Sequence, residues 1–242
     1  MKNRLFSILQ NKFLYIFAFS IILFSACSKR SDVPATPTSG LMAFNLIPDS
    51  TTGPVVFALS NKSITNTPLS FTNYTGSYLS IYSGTRQLGL YKANNSDSAL
   101  ATTSFLAEAQ KYYSAFALGA NGTYKNLVVD DNLDSIPSST GNAFVRYINA
   151  IPDSSQPVVT ITANGTDVVK KNVPFGTVSD FTGIAPGDVT VNVSNDSTIN
   201  TNRTITLEKD KVYTMLIMGM PKVTDTARAV QIKYVINGTV TP

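Results

Sequence analysis

The stretch VRYINAIPDSSQPVVTITANG, residues 145–165, contains the features that determine the predicted fold. Its Ile-Pro-Asp-Ser segment occurs once more, within NLIPDSTTGPVVF at 45–57, and Pro-Val-Val follows both copies. Proline fixes φ and donates no hydrogen bond, and Asp and Ser side chains bond back to nearby amides. We interpret each copy as a turn that ends one strand and leads to the next. Asp49 and Asp153 then belong to separate units and do not form an obvious catalytic pair.

Other segments repeat in the same order. FLAEAQKYYSAFALG at 105–119 aligns with ITLEKDKVYTMLIMG at 205–219, which matches a glutamate, a tyrosine and a glycine in each half. The triplet that begins at Tyr74 is matched with the triplet that begins at Phe181. Each unit has the size of an ordinary single domain. The repeats therefore predict two domains, at 41–137 and 142–242.

The periodicity inside each unit is that of β-strands. VTVNV at 189–193 and VQIKYVI at 230–236 alternate between apolar and polar residues, whereas VYTMLIM at 212–218 is apolar on both faces, as in a central strand. Asn164-Gly165 between two β-prone runs predicts a two-residue hairpin. No long segment has a helical period. The sequence therefore predicts an all-β chain of two tandem antiparallel β-sandwiches.

The amino terminus has the pattern of a lipoprotein signal peptide at 1–26. A basic leader, a short apolar run at 13–24 and the small pair Ser25-Ala26 precede Cys27, the only cysteine in the chain. The apolar run is shorter than the roughly 20 residues of a membrane span. Cys27 is thus the predicted lipidation site, with several acyl chains as a firm membrane anchor. The alternative is an ordinary signal peptide with a cysteine placed there by chance.

The segment after the signal is a predicted lipidated, flexible tether at 27–40, because it is rich in Pro, Ser and Thr and lacks large apolar residues. Ser28 after the cysteine resembles outer-membrane delivery, on either the periplasmic side or the cell surface. The chain has 19 Lys and Arg against 15 Asp and Glu, but three of the basic residues lie in the leader. The remaining chain is nearly neutral, which argues against nucleic-acid binding.

The composition argues against most catalytic sites. The chain has no histidine, which excludes Ser-His-Asp triads, Cys-His pairs and the usual zinc ligand sets. Its only glutamates, Glu108 and Glu208, occupy matching positions of separate repeats and are a poor acid–base pair. The sequence predicts a non-enzymatic protein without a cofactor, with Asp or Ser-Lys chemistry as the enzymatic alternative.

The segment 145–165, followed by VPFGTVSDFTGIAPGDVTVNV at 173–193, resembles the family of domain of unknown function 4397. The second half matches well, and the first half mainly through its alignment with the second. The family often has His before its Ala-x-Pro-Asp turn, where this chain has Asn149, and Asn45 in the first half. The resemblance implies secreted or lipid-anchored bacterial proteins with immunoglobulin-like β domains, often in tandem. It implies no activity.

Two patterns indicate weaker site candidates. Asp130, Asn132 and Asp134 alternate like the start of a calcium loop, but Ser135 and Gly141 stand where an EF-hand has Gly and Glu. The alternative there is a polar linker between the sandwiches.

Asp followed by Ser or Thr and a small or apolar residue resembles an acceptor motif for periplasmic O-glycosylation. Asp in the turns of a Ser- and Thr-rich β protein gives the same pattern and is the alternative. The candidate acceptors are Ser50, Ser98, Ser135, Ser197 and Thr226.

Tyrosine is concentrated in the first repeat, which has seven against three in the second. In YLSIY at 78–82 the period of two assigns Leu79 and Ile81 to the core and Tyr78 and Tyr82 to the opposite face, with their rings roughly 13 Å apart. This pair is the candidate ligand face, because tyrosine suits sugars and protein partners alike. The alternative is packing against cross-strand neighbours.

The combined expectation is a lipid-anchored cell-envelope protein that acts as a binding or structural module. Its expected partners are the membrane, through the N-terminal lipid anchor, and a glycan or another envelope protein. The alternatives are a carbohydrate-binding surface lipoprotein of a glycan-uptake system, although the chain has no Trp for sugar stacking, and a fimbrial or adhesin subunit.

Overall fold

The computed structural model describes residues 36–138, 140–153, 155–195 and 197–240. The predicted signal peptide at 1–26, the lipidation site Cys27 and most of the predicted tether lie outside these residues. The described residues of the first repeat form β1 Thr38–Asn45, β2 Val55–Leu59, β3 Lys62–Ser63, β4 Leu79–Tyr82, β5 Gly84–Lys92, β6 Asn95–Ala107, β7 Tyr112–Ala120 and β8 Thr123–Asp130. A single 3-10 turn, Leu133–Ser135, leads to the second repeat.

The second repeat has the same number of strands in the same order. Its strands are β9 Ala143–Asn149, β10 Val158–Ala163, β11 Thr166–Asn172, β12 Thr182–Ile184, β13 Gly187–Ser194, β14 Asn200–Leu207, β15 Lys211–Met218 and β16 Gln231–Thr239. β1 begins within the predicted tether, three residues before the expected start of the first domain at 41. Among the described residues, no helix has the length and apolar character needed to cross a membrane.

Each repeat is a sandwich of two four-stranded sheets with the same topology. We call β4-β1-β7-β8 and β12-β9-β15-β16 the inner sheets, and β3-β2-β5-β6 and β11-β10-β13-β14 the outer sheets. The prediction of an all-β chain with tandem sandwiches is confirmed. One detail differs: β1 pairs with β7 in parallel, as β9 does with β15, whereas the other strand pairs are antiparallel. A long excursion through the outer sheet separates the two strands, so they can meet in parallel.

The described residues form three hydrophobic cores. One fills the first sandwich and a second fills the second sandwich. The third lies between the two inner sheets and joins the repeats through Met42, Phe44, Phe116, Leu118, Ile148, Leu216 and Met218. The inner strands are therefore covered on both faces: in β7, Ala115 and Ala117 face the sandwich core while Phe116 and Leu118 face the other repeat. The two repeats thus stack as four layers within one compact unit.

The described residues of the two Ile-Pro-Asp-Ser segments lie between strands, as predicted: the first segment follows β1 and precedes β2, and the second follows β9 and precedes β10. The asparagine that precedes each turn is fully buried. Asn45 Nδ2 donates to the Leu69 carbonyl while its Oδ1 accepts from the Ile47 amide. Asn149 repeats this arrangement with Val173 and Ile151. In both repeats the buried carboxamide therefore satisfies backbone groups in and beside its turn.

A tyrosine corner closes each sandwich. The Tyr113 hydroxyl accepts a hydrogen bond from the Glu108 amide at 3.0 Å, and the Tyr213 hydroxyl accepts one from the Glu208 amide at 2.9 Å. Immunoglobulin-like sandwiches use the same bond, from a tyrosine near the start of a strand back to the preceding corner. The glutamates matched between the repeats are therefore corner residues whose backbone, rather than carboxylate, makes this bond in both repeats.

Two local predictions in the second repeat are confirmed. Asn164 and Gly165 connect β10 to β11 with positive φ angles of 50° and 75°, as a type I′ hairpin requires. β13 alternates between buried and partly exposed residues, with Val189, Val191 and Val193 fully buried. The alternation arises because one face of the outer sheet packs on the core while the other meets solvent.

Candidate functional site at the junction of the repeats

A buried ion pair joins the two repeats. The guanidinium Nη1 of Arg146, on β9, lies 2.7 Å from Oδ1 of Asp131, which follows β8. Their side chains are only 2% and 0% exposed. Arg146 also donates from Nε to Thr214 and from Nη2 to Ser114, both at 2.8 Å. One charged side chain of the second repeat is therefore bonded to both inner sheets.

The ion pair belongs to a larger cluster of hydrogen-bonded side chains. Tyr78 donates its hydroxyl proton to Asp131 and accepts from Asn237 Nδ2 at 3.0 Å. Thr214 donates to Asn237 Oδ1 at 2.6 Å, and Ser114 donates to Asp131 Oδ2 at 2.8 Å. We call this set the junction cluster; its members are Tyr78, Ser114, Asp131, Arg146, Thr214 and Asn237.

Burial dominates the electrostatics of the junction cluster. It raises the pKa of Asp131, which Arg146 and the hydrogen bonds from Tyr78 and Ser114 oppose by favouring the carboxylate. Burial, followed by the negative charge of Asp131, also raises the pKa of Tyr78. The phenol therefore stays protonated and acts as a donor. Because a buried ion pair loses much of its Coulomb energy to desolvation, its net contribution to stability is much smaller than the cost of removing one partner.

A cavity of about 290 Å³ lies beside the junction cluster. Both repeats contribute to it, and Arg146 and Asp131 form part of its wall. The guanidinium of Arg146 also lies over the Phe181 ring, 4.6 Å from its centroid. We call this space the junction cavity; the residues that matter for its chemistry are Asp130, Asn132, Asn142, Arg146, Asp180 and Phe181.

The structure separates the two tyrosines of the predicted ligand face. Tyr82 is 63% exposed, but Tyr78 is half-buried, packs edge-on against Tyr112 and belongs to the junction cluster. The candidate ligand face is therefore not open at Tyr78, where the alternative of packing against neighbouring residues describes the ring. The physical reason is that the second repeat covers this face of the inner sheet, which an isolated sandwich would expose. Ile81 is buried in the first core, as expected.

The calcium candidates lie around the 3-10 turn between the repeats. Asp130 Oδ1 accepts from the Asn132 amide at 2.8 Å, and Asp134 is paired with Lys111. Asp131, between them, points into the junction cluster. Within the described ranges, no three Asp, Glu or Cys residues are grouped as metal ligands. The calcium site remains a prediction.

All five candidate glycosylation acceptors have exposed side chains: Ser50, Ser98, Ser135, Ser197 and Thr226. Ser98 lies within strand β6, whereas the other four lie outside the strands. Ser135 donates its hydroxyl proton to the Asn132 carbonyl at 2.7 Å. Their exposure is compatible with a bulky modification, and the modification itself remains a prediction.

The family model described as Domain of unknown function (DUF4397) matches residues 39–156 and 143–233. The chain belongs to this family. The two matched segments of the DUF4397 chain overlap at 143–156 and together cover the first sandwich and most of the second. No curated protein matches it.

Sequence reasoning missed the central pair of the junction cluster. A signal for Arg146 was present, since it is the single charged residue of the otherwise apolar or neutral segment AFVRYINA at 143–150. An arginine in a strand covered on both faces needs a buried partner. The identity of that partner depends on the packing of the two inner sheets, and the local pattern around Asp131 indicates only a polar linker.

Proposed function

We propose that this DUF4397 protein is a non-enzymatic protein of the cell envelope in which two fused sandwiches act as a binding or structural module. The observation that supports this proposal best is the use of the buried charges. Asp131 and Arg146 bond to each other and to neutral side chains of both inner sheets. These bonds join the two repeats, which suits a binding or structural role.

The proposed anchor is a lipid on Cys27. The basic leader, the short apolar run and the small residues before Cys27 support it. β1 begins at Thr38. The residues between them could extend at most about 35 Å, at about 3.5 Å per residue. The sandwiches would therefore stay close to the membrane surface, where envelope glycans and other envelope proteins are the partners within reach. The near-neutral charge after the leader argues against nucleic acid.

A carbohydrate-binding role is the second candidate, because the junction cavity combines aromatic, carboxylate and carboxamide side chains. A fimbrial or adhesin subunit has less support. Donor-strand assembly needs an open position in a sheet, and β16 already pairs with β15 from Lys211–Thr239 to Met218–Gln231.

The anchor can be tested by expressing the full chain and Cys27→Ser in a Gram-negative host with labelled palmitate. We expect labelled wild-type protein in the membrane fraction, and an unlabelled variant released from it. Equal membrane retention of both proteins would contradict the anchor.

Chemical cross-linking in intact cells, followed by mass spectrometry, tests the binding role. The expected result is an envelope partner that is cross-linked reproducibly.

A further inference from the structure

The junction cavity has the position of a ligand site. Pockets for small molecules often lie where two domains meet, and here Asp130 and Asn132 come from the first repeat while Asn142, Asp180 and Phe181 come from the second. Its wall includes Arg146 and Asp131, which are almost completely buried. The site is thus backed by side chains that packing holds in place.

Several polar groups of the cavity can bond to a ligand. Asp180 is exposed and Asn142 is half-buried, and both residues line the cavity, so their polar groups can reach a ligand there. Arg146 has five N–H groups. Its bonds to Thr214, Ser114 and Asp131 use three of them. The cavity therefore offers both acceptors and donors to a ligand.

The mixture of groups favours a neutral ligand. An anion would be repelled by the carboxylates of Asp130 and Asp180. A cation would pair with those carboxylates but would leave the N–H donors of Arg146 and Asn142 unused. A hydroxyl both donates and accepts, so a ligand with several hydroxyls can satisfy both kinds of group at once.

The aromatic residues in the cavity wall and the size of the cavity restrict the class of ligand further. Phe144 and Phe181 line the cavity. Aromatic rings of this kind pack against the apolar C–H face of a sugar ring. A volume of about 290 Å³ lies at the lower end of small-molecule sites, which suits one ring rather than a chain of them.

We propose that the junction cavity binds one sugar ring, either a free monosaccharide or the terminal unit of a glycan. Asp130 and Asp180 accept from its hydroxyls, the carboxamides and Arg146 donate to them, and the phenylalanines contact its apolar face. This inference deepens the proposed binding function and rests on it.

The test uses the full chain purified in detergent, with calorimetric titration of glucose, galactose, mannose and N-acetylglucosamine, and an immobilised glycan array beside it. Asp180→Ala removes an acceptor. Gly183→Leu fills the cavity, since even a Cβ at Gly183 would lie 3.2 Å from Asn142 Nδ2 and 3.4 Å from Phe144 Cε1. Asp97→Ala removes an exposed carboxylate on β6 and is the matched control.

We expect saturable binding of at least one sugar, with Kd raised about tenfold or more by Asp180→Ala and by Gly183→Leu, and unchanged by Asp97→Ala. Melting temperatures would identify a variant that fails to fold. Because Asp180 is exposed, Asp180→Ala should leave the fold intact, and it therefore tests binding even if Gly183→Leu unfolds the protein. Free-sugar binding indicates a monosaccharide, and array binding alone indicates a glycan terminus.

Absence of any sugar binding by the wild type would overturn the inference. So would equal affinity in all variants, or binding of alkylammonium compounds without sugars. If the chain still cross-links to an envelope partner in cells and the cavity variants retain that partner, only the sugar inference fails and the proposed binding function remains.

Discussion

Asp49 connects its turn to a second, distant turn. Its Oδ1 accepts from the amide and the hydroxyl of Thr51, and its Oδ2 accepts from the Asn121 amide and the Tyr124 hydroxyl, with distances of 2.8–3.0 Å. Among the residues that the structure describes, the equivalent Asp153 accepts only from Ser155. The same motif therefore has a purely local role in the second repeat and a long-range role in the first.

The Asp49 contacts predict an acid-sensitive contribution to stability. Although burial of Asp49 raises its pKa, the bonds from Tyr124, Thr51 and Asn121 outweigh burial and lower it to about 2. A carboxylate with a depressed folded-state pKa stabilises the fold above its unfolded value of 3.8, and this contribution disappears as the pH falls toward 2. The loss amounts to about 2 kcal/mol.

Urea titrations between pH 5 and 2 would measure this effect. We expect the free energy of unfolding of the wild type to fall more steeply below pH 4 than that of Asp49→Asn. Asp153→Asn is the matched control, and it should keep the wild-type slope. Identical slopes for Asp49→Asn and the wild type would contradict the assignment.

The tyrosine corners lead to a second prediction for single residues. Tyr213→Phe keeps the buried ring but leaves the Glu208 amide without its bond, so we expect a loss of about 1 kcal/mol in urea unfolding. Tyr113→Phe should give a similar loss through the Glu108 amide. Tyr234, which is 37% exposed, is the control, and Tyr234→Phe should change stability by less than about 0.5 kcal/mol. Equal effects at Tyr213 and Tyr234 would argue against the corner.

At the scale of elements, the inner strands β7 and β15 each have a position at or just after their carboxyl end where only glycine fits. Gly119 and Gly219 have φ angles of 122° and 110°. A Cβ at Gly119 would lie 2.1 Å from the Thr123 carbonyl oxygen, and one at Gly219 would lie 2.2 Å from the Ala229 carbonyl oxygen. In β7 this close approach lets the chain reverse into β8.

Gly119→Ala should therefore be strongly destabilising, because the methyl group adds a clash to an unfavourable φ. We expect a loss of about 2 to 4 kcal/mol by chemical unfolding. Gly238→Ala is the control, since its φ is ordinary and no heavy atom of the described neighbours lies within 4 Å of the added Cβ. It should be neutral or stabilising by up to about 1 kcal/mol. A mild effect at Gly119 would contradict the close approach.

Sequence predicts the elements well where the signal is local. The alternation in β13 and the Asn164-Gly165 hairpin need only neighbouring residues, and both are confirmed. The matching of Tyr74 with Phe181 is wrong. Leu79 pairs with Leu41, and Thr182 pairs with Val145, which has in β9 the position that Leu41 has in β1. Tyr78 is therefore the counterpart of Phe181. A shared triplet is a weaker guide than strand register, which depends on long-range pairing.

At the scale of the molecule, the repeats face each other through equivalent positions that carry different residues. Met42 pairs with Ser114 as Arg146 pairs with Thr214. Asp131 and Asn237 are also equivalent, since each follows by two residues the valine opposite Ser114 or Thr214. The interface resembles that of a symmetric dimer, but the charges differ between its halves.

This asymmetry specifies which surfaces pair. Two copies of the second inner sheet would give Arg146 the neutral Asn237 in place of Asp131, and two copies of the first would give Asp131 the neutral Met42 in place of Arg146. Only the first sheet against the second neutralises both charges. The amino-acid composition does not indicate which sheets pair, because the partner of Arg146 is defined only when the two inner sheets are in contact.

The last prediction tests this coupling with substitutions that the other repeat already contains. Arg146→Met introduces the residue found at 42, and Asp131→Asn introduces the residue found at 237. Each alone leaves one buried charge unpaired and should cost about 3 to 5 kcal/mol. The double variant removes both charges, so its loss should be smaller than the sum of the single losses by about 2 kcal/mol or more.

Urea unfolding followed by far-UV circular dichroism and by tyrosine fluorescence measures the free energy of unfolding of the wild type, the two single variants and the double variant. The control cycle uses Asp167→Asn and Lys170→Met, an exposed pair 3.6 Å apart, whose coupling should be close to zero. Additive losses at Arg146 and Asp131 would mean that the ion pair does not determine how the two repeats pair.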